Sequence, residues 1–238
     1  MGSRIKLVSH PYAWETMQAR LDHAEVTGQP LVERPYWYED TITGRLFHDL
    51  FGCVAWPSEV TDSGNVKPGY AAIIGVLRPS DTLDHISATD AKFILLDEAQ
   101  SEHVPTLIQA CSDLRDKWGY GQRRELLQEF HGDPERFLTV VALRNEQAEH
   151  DLLINPPDDW NVPKVFDHYV RSLKSAIYGN RFFFGGLEVL KNRVAAFNRD
   201  DPAIMAVGGM VHTLLGRCLW MDQATTNVWR MEDRRHAA

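Results

Sequence analysis

Asp200 and Asp201 stand side by side ahead of Pro202, at the head of a strongly apolar stretch that runs to about Leu219. Such a doublet can do two things. An Asp can accept hydrogen bonds from the first free N–H groups of a helix, with Pro202 in the first turn. A carboxylate at that point can also ligate a divalent metal, facing the sheet on which the helix packs. Capping and ligation are compatible, and the residues alone leave both open. The stretch from Ala203 to Leu215 is apolar nearly all round, so its helix is expected to be buried and the doublet firmly held. Gly208-Gly209 lets that helix approach a neighbour closely.

A second pair of acids, Asp97-Glu98, follows Phe93-Ile94-Leu95-Leu96. The pattern is like a strand that presents carboxylates to magnesium in ATPases. That chemistry needs a phosphate loop ending in Gly-Lys, and the chain contains no Gly-Lys pair. The plainer reading is a buried strand ending in surface carboxylates, with Glu98 and Glu102 near the positive end of the next helix.

Other familiar constellations are missing. The 10 histidines include no H-E-x-x-H, and His212, inside the apolar helix, reads as a satisfied core residue rather than a ligand. Ser58, Ser63 and Ser80 lack the G-x-S-x-G setting of a hydrolase elbow. No G-x-G-x-x-G dinucleotide fingerprint occurs. Cys53, Cys111 and Cys218 are too few and too widely spaced for a zinc cluster or a disulfide framework, and read as reduced buried thiols of a cytosolic protein.

The formal net charge of −8 argues against a general nucleic-acid coat and against an anionic membrane surface. Charge is uneven, however. Lys164, Arg171, Lys174, Arg181, Lys191, Arg193 and Arg199 are opposed over that stretch only by Asp167 and Glu188. The run is either a solvated helix face or a track for a phosphate backbone beside the acidic doublet. Met1–Ser9 has two basic residues but no apolar core of a secretory leader, and Ala203–Met210 is far too short to span a bilayer. Secretion and membrane insertion are therefore not expected.

The elements that must position these residues follow from periodicity. The 238 residues, 44% of them hydrophobic, are enough for one large domain. Residues 11–28 read as a helix, followed by a Pro- and aromatic-rich arm. Strands are expected at Phe51–Trp56, Tyr70–Leu77 and Lys92–Leu96, the first two as a hairpin because no crossover helix fits between them. Val104 to Trp118 has helical spacing, and a shorter helix is expected over 122–130. A further strand is expected at Phe137–Leu143, a helix from about Val162 to Tyr178, a short strand at Arg181–Phe184 and a helix at Leu187–Phe197. Three adjacent strands followed by helix–strand alternation predict an α/β domain with a mixed central sheet flanked by helices. Its expected limits are residues 45–222, with the helix and arm of 1–44 packed on it and a loose charged tail over 223–238.

This order resembles the nuclease domain of phage large terminase subunits, which has a ribonuclease-H-like fold. In that family a three-strand meander leads to a helix, a fourth strand carries an acid near its end, and an acidic doublet opens the final helix. The closing segment here, Arg199-Asp200-Asp201-Pro202-Ala203-Ile204-Met205-Ala206, is similar to that doublet before an Ala-rich helix. Asn180-Arg181-Phe182-Phe183-Phe184 and then Leu187–Phe197 look like the short strand and helix that precede it. The resemblance spans roughly residues 45–220. One departure is plain: the family's first strand holds a metal-binding Asp, whereas Gly52-Cys53-Val54-Ala55-Trp56-Pro57 holds no acid. The ATPase domain that precedes the family's nuclease is not seen in this sequence.

The resemblance implies metal-dependent hydrolysis of double-stranded DNA phosphodiesters during phage genome packaging, in the cytoplasm of a bacterial host. It implies one or two Mg²⁺ or Mn²⁺ ions on Asp200, Asp201 and Glu146, with Glu59 or Asp62 in place of the first-strand acid and Asp97 as a substitute. Arg181 and Lys191, with Lys174, Arg193 and Arg199, would hold phosphates. The packaging or structural proteins of a phage would be partners. The vacant first-strand position motivates the alternative, a non-catalytic ribonuclease-H-like scaffold or assembly protein.

Overall fold

The computed structural model describes residues 4–9, 36–57, 67–77, 92–119, 129–133, 152–198 and 200–216. They form a mixed sheet flanked by helices. The centre is a meander: β3 (Leu46–Ala55), β4 (Gly69–Leu77) and β5 (Lys92–Ser101) pair antiparallel in succession. β4 is buried along nearly its whole length, as its unbroken apolar run requires of a central strand covered on both faces.

The far edge of β3 is shared. Its N-terminal end pairs antiparallel with β2 (Tyr36–Asp40), which pairs in turn with β1 (Ile5–Ser9). Gly52 and Cys53, near its other end, pair in parallel with β6 (Glu129–His131), and β7 (Leu153–Asn155) adds in parallel to β6. On the opposite side, β8 (Phe182–Phe183) lies parallel to β5.

Helix α1 (Val104–Trp118) covers one face of the sheet, burying Leu107, Ile108, Cys111, Leu114 and Trp118 against Phe47, Val54, Ala71 and Ile73. The other face carries α2 (Val165–Tyr178), the short α3 (Val189–Val194) and α4, the last helix among the described residues, over residues 202–216. Its core joins Cys53, Ala72, Ile74 and Leu95 to Leu173, Ile204, Val207 and Val211. The α4 residues are almost all buried, as expected for a helix apolar on every side. Among the described residues no helix is long and apolar enough to cross a membrane.

Several expectations change in detail. β3 and β5 are each longer than their apolar runs, because pairing with β4 continues through polar ends such as Asp49 and Gln100. Tyr36–Asp40, expected in an arm, is a strand of the main sheet, as is Ile5–Ser9. Residues 129–130, expected to end a helix, lie in β6, where a three-residue strand has no periodicity of its own to reveal it. The expected helix 11–28, the strand 137–143 and the tail 223–238 lie outside the described residues.

Candidate functional site

The parallel strands β3, β6 and β7 all end at one edge of the sheet, so the chain segments leaving them meet there. β3 gives way to Ala55-Trp56, β6 to His131-Gly132-Asp133, and β7 to the turn holding Pro157 and Trp160. These segments line a cavity of about 310 Å³, closed from the other side by Phe166 and Tyr169 of α2 and by Asp200, Pro202, Met205 and Ala206 at the head of α4. Gly132 makes the junction possible, since a Cβ there would lie 2.5 Å from the Val54 carbonyl oxygen.

Two carboxylate residues line this cavity, Asp133 and Asp200. Their backbones are fixed. The indole Nε1 of Trp56 donates to the Asp133 carbonyl at 2.9 Å. Lys67 Nζ donates to the Asp200 carbonyl at 3.3 Å, and the Asp200 N–H donates to Asn198 Oδ1 at 3.0 Å. His131, buried at the end of β6, packs edge-on to Phe51 with ring centroids 6.4 Å apart.

Within the doublet the two readings divide between the two residues. Asp201 caps α4: its Oδ1 accepts the Ala203 N–H at 3.0 Å, and its carbonyl accepts the Met205 N–H at 2.9 Å. Its Oδ2 accepts from Arg193 Nη1 at 3.0 Å. Asp200 is exposed and is the half of the doublet on the cavity.

The remaining expected residues are dispersed. Asp97 faces α1, where its Oδ2 accepts from Lys117 Nζ at 2.6 Å and Trp118 Nε1 at 2.9 Å. Glu98 faces the other side of the sheet and accepts from Tyr70 Oη and from the backbone N–H groups of Val189 and Leu190 that open α3. Burial, and then the Glu98 charge, push the Tyr70 phenol well above its usual range, so it remains a donor. Neither acid lines the cavity. Glu59, Asp62, Glu146 and Arg199 lie outside the described residues.

The basic residues are partly engaged within the protein. Lys191 pairs with Glu188 at 2.8 Å, and Arg193 with Asp201. Arg181 Nη2 donates to Ser175 Oγ at 3.4 Å, and Lys174 Nζ lies 4.8 Å above the Phe197 ring. Arg171 and Lys164 are exposed.

Asp133 escaped sequence reasoning because its place depends on the pairing of β6 with β3. The signal that could have found it is the cluster Gly132-Asp133-Pro134, turn residues that mark a strand end. On β3, Asp49 is an acid, but six residues of strand, about 20 Å, separate it from Ala55. The β3 residues on the α4 face near the cavity are Cys53 and Ala55. Carboxylate oxygens such as those of Asp133 and Asp200 are the hard donors that Mg²⁺ and Mn²⁺ take, but among the described residues neither acid belongs to a group of three or more close-lying ligand atoms. Compared with known proteins, the chain matches no family model, no curated protein and no solved structure.

Proposed function

We propose that the chain is a ribonuclease-H-like nuclease domain of the phage terminase type, which hydrolyses phosphodiesters of double-stranded DNA in genome packaging. One observation carries the reading. Asp133, just past the strand that follows the meander and α1, and Asp200, at the head of α4, line one cavity. That is the order in which the family supplies its later acids, with Asp133 in the role that the sequence reading gave to Glu146.

In this reading Asp133 and Asp200 would hold Mg²⁺ or Mn²⁺. When bound, the ion lowers the pKa of a water and offsets charge on the leaving oxygen. Arg193 ties Asp201 to the sheet-facing helices and so fixes the head of α4 on which Asp200 stands. The water oxygen forms the new P–O bond, a bridging P–O bond breaks, and the departing alcohol takes up a proton. Exposed cations such as Lys164 and Arg171 would follow the DNA backbone.

A non-catalytic scaffold of the same fold is the second reading, favoured by the absence of an acid from Gly52-Cys53-Val54-Ala55, the end of β3 nearest the cavity. A plasmid-nicking assay with Mn²⁺ separates the two. The parent should nick, and Asp133→Ala and Asp200→Ala should each lower the rate by about 100-fold or more. A parent protein with no metal-dependent cleavage overturns the nuclease and leaves the scaffold.

A further inference from the structure

We propose that Asp159, His168 and His212, none of which lines the cavity, form a zinc site separate from Asp133 and Asp200. Each offers one ligand atom, and the three atoms lie within 4.8 Å of one another. The residues come from three elements: the turn after β7, the start of α2, and α4. Only the packed fold unites them.

The spacing suits one ion. His212 Nε2 and Asp159 Oδ2 are 3.0 Å apart. Two ligands bound at about 2.0–2.1 Å to a tetrahedral Zn²⁺ stand about 3.3 Å apart, so a few tenths of an ångström of movement admits the ion. The His168 ring lies 6.1 Å from the His212 ring, centroid to centroid, and is tilted by 68°. Imidazoles with that separation and tilt can turn one nitrogen each towards a common point.

The orientation of His212 is already set. Its Nδ1 is 2.9 Å from Ser172 Oγ. With Nδ1–H donating to that hydroxyl, the lone pair of Nε2 is directed at the Asp159 side, as an outer hydrogen bond fixes the tautomer of a metal-binding histidine. Ser172 lies one helical turn beyond His168, on the same face of α2. Among the described residues no hydrogen bond holds the His168 ring, so it can turn towards an ion without loss.

The frame around the site is rigid. The Asp158 N–H donates to Thr213 Oγ1 at 2.8 Å, and Tyr169 Oη donates to the Asp158 carbonyl at 3.0 Å. The turn is thereby tied to α4 and α2, which carry the two histidines. Asp159 adopts a left-handed conformation, φ 61°, which aims its carboxylate back over α4. Its side chain is 53% exposed and that of His212 is 21% exposed, so an ion can enter from solvent. Two imidazoles and a carboxylate favour zinc over the hard ions expected at Asp133 and Asp200. Three protein ligands leave a fourth position for water or for a partner's side chain.

The test is titration of the full chain, freed of metal with a chelator, with ZnCl₂ by calorimetry at pH 7.5, and with CoCl₂ by visible absorption. We expect one Zn²⁺ per chain at micromolar Kd or tighter, a higher Tm with zinc, and tetrahedral Co²⁺ absorption bands. His168→Ala and Asp159→Asn alter partly exposed side chains and should fold, as circular dichroism will verify. Each should weaken zinc by at least about 30-fold, and Ser172→Ala by about 10-fold. Asp200→Ala should bind zinc as the parent does, which keeps this result distinct from the nuclease reading. A parent that binds less than one Zn²⁺ at 100-fold excess over micromolar concentrations overturns the site and leaves an ordinary His–Asp pair. Parent-like binding in both His168→Ala and Asp159→Asn overturns it equally.

Discussion

Arg193 Nη1 lies 3.0 Å from Oδ2 of Asp201, and this contact helps decide which half of the acidic doublet remains on the cavity. With Ala203 N–H on the other oxygen, Asp201 is 7% exposed and fully engaged. Its replacement therefore removes a helix cap and an ion pair together. Asp201→Ala should cost about 1–3 kcal/mol in urea unfolding. Asp200→Ala should change stability less, by no more than about 0.5 kcal/mol, because its side chain is exposed to solvent. Equal losses in the two variants would contradict this division of roles.

Glu98 holds three donors from two elements, Tyr70 Oη at 2.8 Å and the N–H groups of Val189 and Leu190 at 2.9 and 3.1 Å. Tyr70 is 1% exposed, so water cannot replace the lost acceptor. Glu98→Ala should destabilise by about 2–4 kcal/mol, with the stranded phenol supplying much of the loss. The double variant with Tyr70→Phe should lose less than the two single losses combined, since it leaves no buried hydroxyl unmatched. Strict additivity would show that the Tyr70–Glu98 bond is not what Glu98 contributes.

The same carboxylate shows why the sequence is only partly transparent. Asp97-Glu98 reads as the surface end of a strand, because polar residues normally mark one. The strand continues to Ser101 because β4 offers partners as far as Gly69, and the two acids turn to opposite faces with different helices to satisfy. The meander and α4 are legible, since continuous apolar runs and all-round apolarity report burial directly. β6 and β7 are not, because a three-residue strand exists only through its neighbours. The site divides in the same way. Asp200 is visible from its position before a helix, whereas Asp133 gains its place from the β3–β6 pairing. His212 is not the core histidine its apolar helix suggests: its side chain is 21% exposed, and its partners are Ser172 and Asp159, which no local pattern links to it.

Asp40 predicts an acid-dependent loss of stability at the other edge of the sheet. Burial alone would raise its pKa. Arg4 at 2.7 Å, Thr43 at 2.6 Å and the Ile42 N–H outweigh that and hold the carboxyl well below its usual range. A carboxyl whose folded pKa is depressed stabilises the protein fully above the unfolded value of about 3.9, and that stabilisation fades as pH falls towards the folded value. Asp40→Asn should therefore cost about 2–3 kcal/mol at pH 7. The gap between parent and variant should start to close below about pH 4. A gap that is constant from pH 7 to pH 2.5 would mean that the charge of Asp40 contributes nothing.

The packing of α4 on α2 sets the frame for both the cavity and the histidine cluster, and a single glycine governs how close it is. A Cβ at Gly208 would stand 2.8 Å from the Tyr169 carbonyl oxygen and 3.0 Å from its carbon. Those are backbone atoms in the middle of a helix, so neither can move aside as a side-chain tip could. Gly208→Ala must push the two helices apart, and overpacking of this kind costs about 1–3 kcal/mol. Gly216→Ala is the fitting comparison. Its nearest neighbour is the Asp158 carboxylate at 3.8 Å, and alanine favours a helix over glycine, so it should be neutral or mildly stabilising. Opposite signs for these two substitutions in thermal unfolding are expected. If Gly208→Ala is tolerated as well as Gly216→Ala, the close contact between α2 and α4 is not what holds His168 and His212 together.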